Sequence, residues 1–320
     1  MKNLQPNPIA SPASLLRLVT TLAVILLPAH AHACACGCSV FDVGTSSMLP
    51  SDAGGMAYLN YDYQNQNKNW NGNSSAPAAD NGDKRIETHF VTLGLQYLFN
   101  RNWGVQVELP VWNRTFETDL NYGGSPANVV SRNWTGLGDI RLKGIYTGLS
   151  DDLSTGLTFG LKLPTGSISH EPDVIDRDTQ LGTGSTDLLL GAFHRARFGD
   201  SHWNWFAQAE LELPMLAQGE YRPGFEANVA TGIYYDGLSL GGVKISPVAQ
   251  VIGSWRDSDH GADAAPADSG YARVLLAPGL EFHLHPVKVY ADVELPVFQH
   301  VNGNQLVAPV LFKLSVSYMF

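Results

Sequence analysis

From residue 54 to the C-terminus the chain repeats one unit twelve times: a stretch in which apolar and polar side chains alternate, then a break. The stretches are 55–65, 86–99, 102–118, 134–148, 153–165, 184–198, 202–216, 223–235, 238–254, 270–284, 287–300 and 305–320. Alternation with period two places the two kinds of side chain on opposite faces of a β-strand. In 103–111 one face carries Trp103, Val105, Val107, Leu109 and Val111, and the other Gln106 and Glu108. The last stretch sets Val310, Phe312, Leu314, Val316, Tyr318 and Phe320 against Lys313, Ser315 and Ser317. No part of this region carries a sustained helical period. The chain reads as all-β.

A soluble sandwich alternates as well, so the connections decide. Tight connections at 100–101, 149–152, 199–201, 236–237 and 285–286 take turns with longer polar ones at 66–85, 119–133, 166–183, 217–222, 255–269 and 301–304. That asymmetry matches the short turns and long loops of outer-membrane barrels. Tyr97, Phe99, Trp103, Tyr146, Phe198, Trp203, Trp205, Tyr234 and Tyr235 gather near the tight connections, as an interfacial girdle does. A closed barrel leaves no unpaired strand edge in hydrocarbon. The expectation is a transmembrane antiparallel β-barrel of twelve strands over 54–320. Its wall meets outer-membrane lipid, and both of its ends face the periplasm. Its terminal strand, closing on Phe320, resembles the signal read by the barrel-insertion machinery.

Residues 1–33 fit a secretory signal. Lys2 and Arg17 precede and flank a short apolar run, Pro28 breaks it, and cleavage after Ala31 or Ala33 suits the small residues that follow. The run is shorter than the ~20 residues a spanning helix needs. Export from a Gram-negative cell into the outer membrane follows. Losing this leader removes two basic residues and no acidic ones, which moves the formal charge from −10 to −12. With no basic run, the chain offers nothing to a nucleic-acid partner.

A charge on the lipid face costs about 2–4 kcal/mol at mid-bilayer, so strand charges belong in the lumen. Prolines 110, 164, 214, 247 and 296 recur at one depth in alternate strands and predict a ring of bulges or bends. Two positions before four of them stand Glu108, Lys162, Glu212 and Glu294, on the same face. Arg141, Lys143, Asp292 and Glu281 join them as candidates for a constriction, with Glu210, Asp139, His283 and Lys313 also inward. Twelve strands leave a narrow bore, and the side chains predict a mixed-charge filter for a small molecule or ion.

The stretches "GLGDIRLKG" (136–144), "GLKLPTG" (160–166) and "LGTGSTDLLLGA" (181–192), with the aromatic terminal strand, resemble a family of outer-membrane channels. That family is named for the meta-cleavage pathway of phenol degradation. The resemblance covers roughly 86–320 and implies a twelve-strand-type channel with a transport role, extending to small organic or aromatic solutes. It brings no binding residues with it.

Chemistry is sparse. The chain lacks a G-x-S-x-G elbow, an H-E-x-x-H pair and a C-x-x-C-H haem site. Gly199-Asp200-Ser201-His202 faintly suggests a hydrolase, yet it falls where a tight turn is required. The chain is read as no enzyme, with an outer-membrane hydrolase the least favoured alternative. The exception is 34–53, set apart as a periplasmic N-terminal segment, where Cys34, Cys36 and Cys38 are the chain's three cysteines. Thiolates at that spacing suit Cu(I) or Zn(II), which makes a metal-handling outer-membrane protein the second functional reading. A Cys34–Cys38 disulfide and a lipid on Cys34 are open readings of the same residues.

Overall fold

The computed structural model describes Phe41, Val43, Gly44, Leu49, Pro50 and residues 54–320. The leader 1–33 and Cys34, Cys36 and Cys38 lie outside the described residues. Twelve antiparallel strands make the wall: β1 (Gly54–Gln66), β2 (Asp83–Leu98), β3 (Trp103–Asp119), β4 (Val129–Leu137 and, after a break, Ile140–Tyr146), β5 (Thr155–Leu163) and β6 (Ser185–Arg197), followed by β7 (Trp203–Ala217), β8 (Glu226–Tyr235), β9 (Val243–Arg256), β10 (Tyr271–Leu284), β11 (Val287–Val307) and β12 (Leu311–Met319). Each pairs with its neighbour in sequence. β12 pairs with β1 from Met56↔Met319 to Gln64↔Leu311, which closes the barrel. At that seam Gly55 and Phe320 exchange backbone hydrogen bonds of 2.8 and 2.9 Å.

Burial follows the alternation. Along β1 the even positions Tyr58, Asn60, Asp62, Gln64 and Gln66 are buried and polar, while Leu59 is exposed. Along β3 the exposed set is Trp103, Val105 and Val107. The inside of the barrel is therefore polar and its outside apolar, the reverse of a soluble fold and the arrangement lipid demands. The fold is a closed twelve-strand antiparallel barrel of the outer-membrane type. Among the described residues no helix is long and apolar enough to cross a membrane.

Four details depart from the sequence reading. Strand 238–254 is not continuous: Leu238–Leu240 folds back on Val243–Ile245 as a small hairpin, because Gly241 and Gly242 both adopt positive φ. The connection at 301–304 is absorbed into β11, which absorbs two extra residues between Val301 and Asn304 where it pairs with the short strand Lys68–Gly72. Tyr234 is no girdle residue, for it packs inward against the buried cluster. The proline ring is only partly a ring of bulges. Register shifts accompany Pro214 and Pro296, where Met215-Leu216 and Val297-Phe298 both turn their side chains outward. Pro247 pairs in register with Leu280.

Of 34–53, expected as a periplasmic N-terminal segment, Phe41, Val43, Gly44, Leu49 and Pro50 are described. They lie inside the barrel. Phe41, Val43 and Leu49 are buried in one cluster with Phe90, Ile145, Phe193, Phe206 and Ile252 from the wall. Apolar side chains next to a polar bore gain by burial against the few apolar wall positions. These described residues plug the bore.

Candidate functional site

Midway along the strands, the inward faces of β3 to β7 build one connected network of charges. Lys143 Nζ lies 2.7 Å from Glu210 and 3.5 Å from Glu108. Arg141 reaches Glu212 at 2.9 Å and Glu210 at 3.6 Å. Lys162 bridges Glu212 and Asp187, the latter at 2.5 Å. Tyr58 and Gln106 each donate to Glu108 at 2.8 Å. Charges taken out of water need such pairing, since an isolated one costs several kcal/mol or more.

β4 and β7 are separated by two strands, so contacts between their side chains need a reason. Gly160 stands directly beside Lys143, and Gly191 directly beside Glu210. A Cβ on Gly191 would meet Thr158 Oγ1 at 2.3 Å, and one on Gly160 would meet the Leu142 carbonyl at 2.0 Å. The bare backbone leaves a trough that the long side chains cross. Gly94 does the same between Tyr58 and Glu108, lying under the tyrosine ring.

The opposing wall differs. On β8 to β10 many inward positions are small or apolar, among them Ala230, Val248, Ile252, Leu275 and Ala277. The plug reaches both sides: Gly44 N donates to Gln208 of β7 at 3.2 Å, and a Cβ on Gly44 would meet Ile252 of β9 at 3.0 Å. Phe41 packs on Phe90 with ring centroids 5.5 Å apart. Beside the charged network is a cavity of about 180 Å³, lined by Phe41, Phe90, Trp112, Ile145 and Phe193 together with Glu108, Arg141, Lys143 and Lys162.

Toward the long loops the cavity is covered by the connection between β5 and β6, residues 164–184. Ile175 and Leu181 bury against Ile86, Phe116, Trp134 and Leu306. Arg114, itself buried, donates to the carbonyls of Thr179 (2.6 Å) and Gln180 (3.2 Å). The roots of this loop meet the break in β4. Asp139 accepts from Gly166 N (2.9 Å), Thr183 N (2.8 Å) and Thr183 Oγ1 (2.7 Å). Thr165 Oγ1 bonds Gly138 O and Ile140 N, both at 2.9 Å. Gly166 and Gly182 touch so closely that a Cβ on either would meet the other's Cα within 2.7 Å. The three stretches 136–144, 160–166 and 181–192 thus converge on one knot in the wall.

Loop carboxylates feel their surroundings. Burial, reinforced by Asp176, Asp259 and Asp83, pushes the Asp178 carboxyl well above the usual range. Asp236 loses some hydration, but Lys244, His202 and Arg197 outweigh this and hold it below the usual range.

Of the candidate residues, Glu108, Arg141, Lys143, Lys162 and Glu212 are brought together in one network. Asp292 and Glu294 sit on the far wall with Lys313; Asp292 accepts from Tyr290 (2.6 Å) and Gln250 (3.0 Å). Glu281 stands apart, paired with His283 at 2.8 Å, in the last turn of β10 before the tight connection. Asp139 serves the knot as well as lining the cavity. Sequence reasoning missed Asp62, Asp187 and Arg114. The alternation of Asn60, Asp62, Gln64 and Gln66 was the available signal for the first. Ser201 Oγ donates to the Phe198 carbonyl at 2.7 Å, so the Gly199–His202 stretch is built as a turn. Among the described residues no group of His, Cys, Asp or Glu could hold a metal.

No protein-family model and no curated relative matches this sequence. Solved structures do. An outer membrane channel from Pseudomonas putida F1 superposes with a TM-score of 0.64 at 12% identity, over 87% of this chain and 100% of that one. The β domain of the Bordetella autotransporter BrkA gives a TM-score of 0.49 at 13% identity, over 84% of this chain and 100% of that one. The P. putida toluene transporter TodX gives 0.43 at 9% identity, over 84% of this chain and 91% of that one. In fold, this chain is similar to the outer-membrane β-barrel channels.

Proposed function

We propose that the protein is an outer-membrane channel for a small organic solute carrying both an apolar ring or chain and a polar group. The observation that carries this reading is the mixed lining of the cavity, where Phe41, Phe90, Trp112, Ile145 and Phe193 stand among the paired charges. Phe90, Trp112 and Phe193 offer the apolar part of such a solute a surface within the same cavity. Ligand sites are mostly apolar with a few placed polar groups that orient the solute. The plug and the 164–184 loop cover the two ends of the cavity, so passage requires one or both to move. The resemblance of the Gly-rich stretches to channels of aromatic degradation supports the same solute class. The termini are assigned to the periplasm, with β12 as the insertion signal.

Proteoliposome uptake tests this. Small aromatic acids or alcohols are expected to enter several-fold faster than into protein-free vesicles, and faster than a sugar of equal size. Equal rates for both solutes contradict the solute class, and no uptake of either contradicts a channel.

A further inference from the structure

Glu294 is fully buried in the middle of β11, and neither of its carboxylate oxygens has a hydrogen-bond partner among the described residues. Such a group carries the full cost of lost hydration. The nearby cation is Lys313. The register sets Lys313 directly opposite Asp292 on β11 and Asp62 on β1, and Glu294 opposite Leu311, one diagonal step away. Long side chains span that diagonal. Asp292 accepts from Tyr290 and Gln250 on Oδ2, while its Oδ1 is buried without a hydrogen bond among the described residues. Yet the Lys313 ammonium donates to the plug, at 2.8 Å to the Phe41 carbonyl and 3.1 Å to that of Val43. It also lies 5.7 Å from the centre of the Phe41 ring.

We propose that Lys313 is a two-position latch, holding the plug through the Phe41 and Val43 carbonyls and turning to Glu294 when the plug leaves. In the first position the plug is bound and Glu294 is left without a donor. In the second the two carbonyls depart with the plug and the carboxylate gains the ammonium. Glu294 therefore lowers the cost of release, and the plug stays closed by a modest margin. Arg273 on β10 is a second cation on this wall, with its guanidinium 4.8 Å from the centre of the Tyr271 ring.

The test is amide hydrogen exchange of the full mature protein in detergent, read over residues 41–50. This readout does not depend on solute transport, so it stands or falls separately from the channel reading. Lys313→Met is expected to raise exchange about tenfold or more, the size of a lost charged hydrogen bond. Glu294→Gln, isosteric and relieved of its charge, is expected to slow exchange by a similar factor. The double variant should match Lys313→Met, because Glu294 acts only through the lysine. Heat-modifiable gel migration checks that each barrel is closed. Should Lys313→Met fail to fold, Glu294→Gln alone decides: unchanged or faster exchange overturns the latch. Unchanged exchange in a folded Lys313→Met overturns it equally.

Discussion

Lys143 on β4 and Glu210 on β7 are bonded at 2.7 Å across two intervening strands. The pair ties together parts of the wall that backbone pairing does not join directly. Lys143→Met and Glu210→Leu are each expected to cost about 3 kcal/mol, because each removes the nearest counter-charge of a buried partner. The double variant should cost less than their sum by about 1–3 kcal/mol. Urea unfolding of the detergent-solubilised barrel measures this, and strict additivity would show that the two charges do not interact.

Arg114 holds the 164–184 loop inward through the Thr179 and Gln180 carbonyls. Arg114→Met is expected to weaken the docking by about 1.5–3 kcal/mol, the range for hydrogen bonds to a charged group. Limited proteolysis should then cut within 168–182 while the barrel stays closed on gels. A loop as resistant as in the parent protein would place the docking in Ile175 and Leu181 alone.

Acidity should tighten the same loop. The Asp178 carboxyl is raised well above its unfolded value by burial and by Asp176, Asp259 and Asp83. An acid whose folded pKa is raised contributes stability at pH below the unfolded value, ~3.9. That contribution is lost as pH rises through the folded one. Exchange over 168–182 is therefore expected to speed up as pH rises past the intrinsic amide dependence, and Asp178→Asn should remove the excess. A variant with the parent's pH profile refutes the assignment.

The three thiols at 34, 36 and 38 are a proposal about metal. If they hold Cu(I) or Zn(II), native mass spectrometry of the mature protein should show one ion that the triple Cys→Ser variant lacks. Equal metal content in both, a mass lower by two hydrogens, or a lipid adduct contradicts metal binding. The same spectrum fixes the cleavage site.

How far the molecule was legible in its sequence follows from how local each signal is. Strand parity depends on neighbours two residues apart, and it placed Glu108, Lys162, Glu212 and Asp292 on the inner face. What it does not carry is distance across the bore. Nothing along the chain says that Lys143 meets Glu210 rather than a neighbouring strand, since that depends on the space left by Gly160 (seventeen residues from Lys143) and Gly191 (nineteen from Glu210). The plug was illegible for a related reason. Phe41, Val43 and Leu49 have no period, and their partners, from Phe90 to Ile252, lie on strands far along the chain. The Gly-rich stretches read as turn signatures one at a time. Only together do they form the Gly138–Asp139, Thr165–Gly166 and Gly182–Thr183 knot.

The central claim is that the space between the plug and the 164–184 loop is a solute path. Single-channel recording of the mature protein in planar bilayers tests it most directly, comparing the parent with Arg114→Met. The account predicts small, discrete conductance steps in the parent, and larger or longer ones once the loop is released. A correctly folded barrel that stays silent in both forms would contradict it.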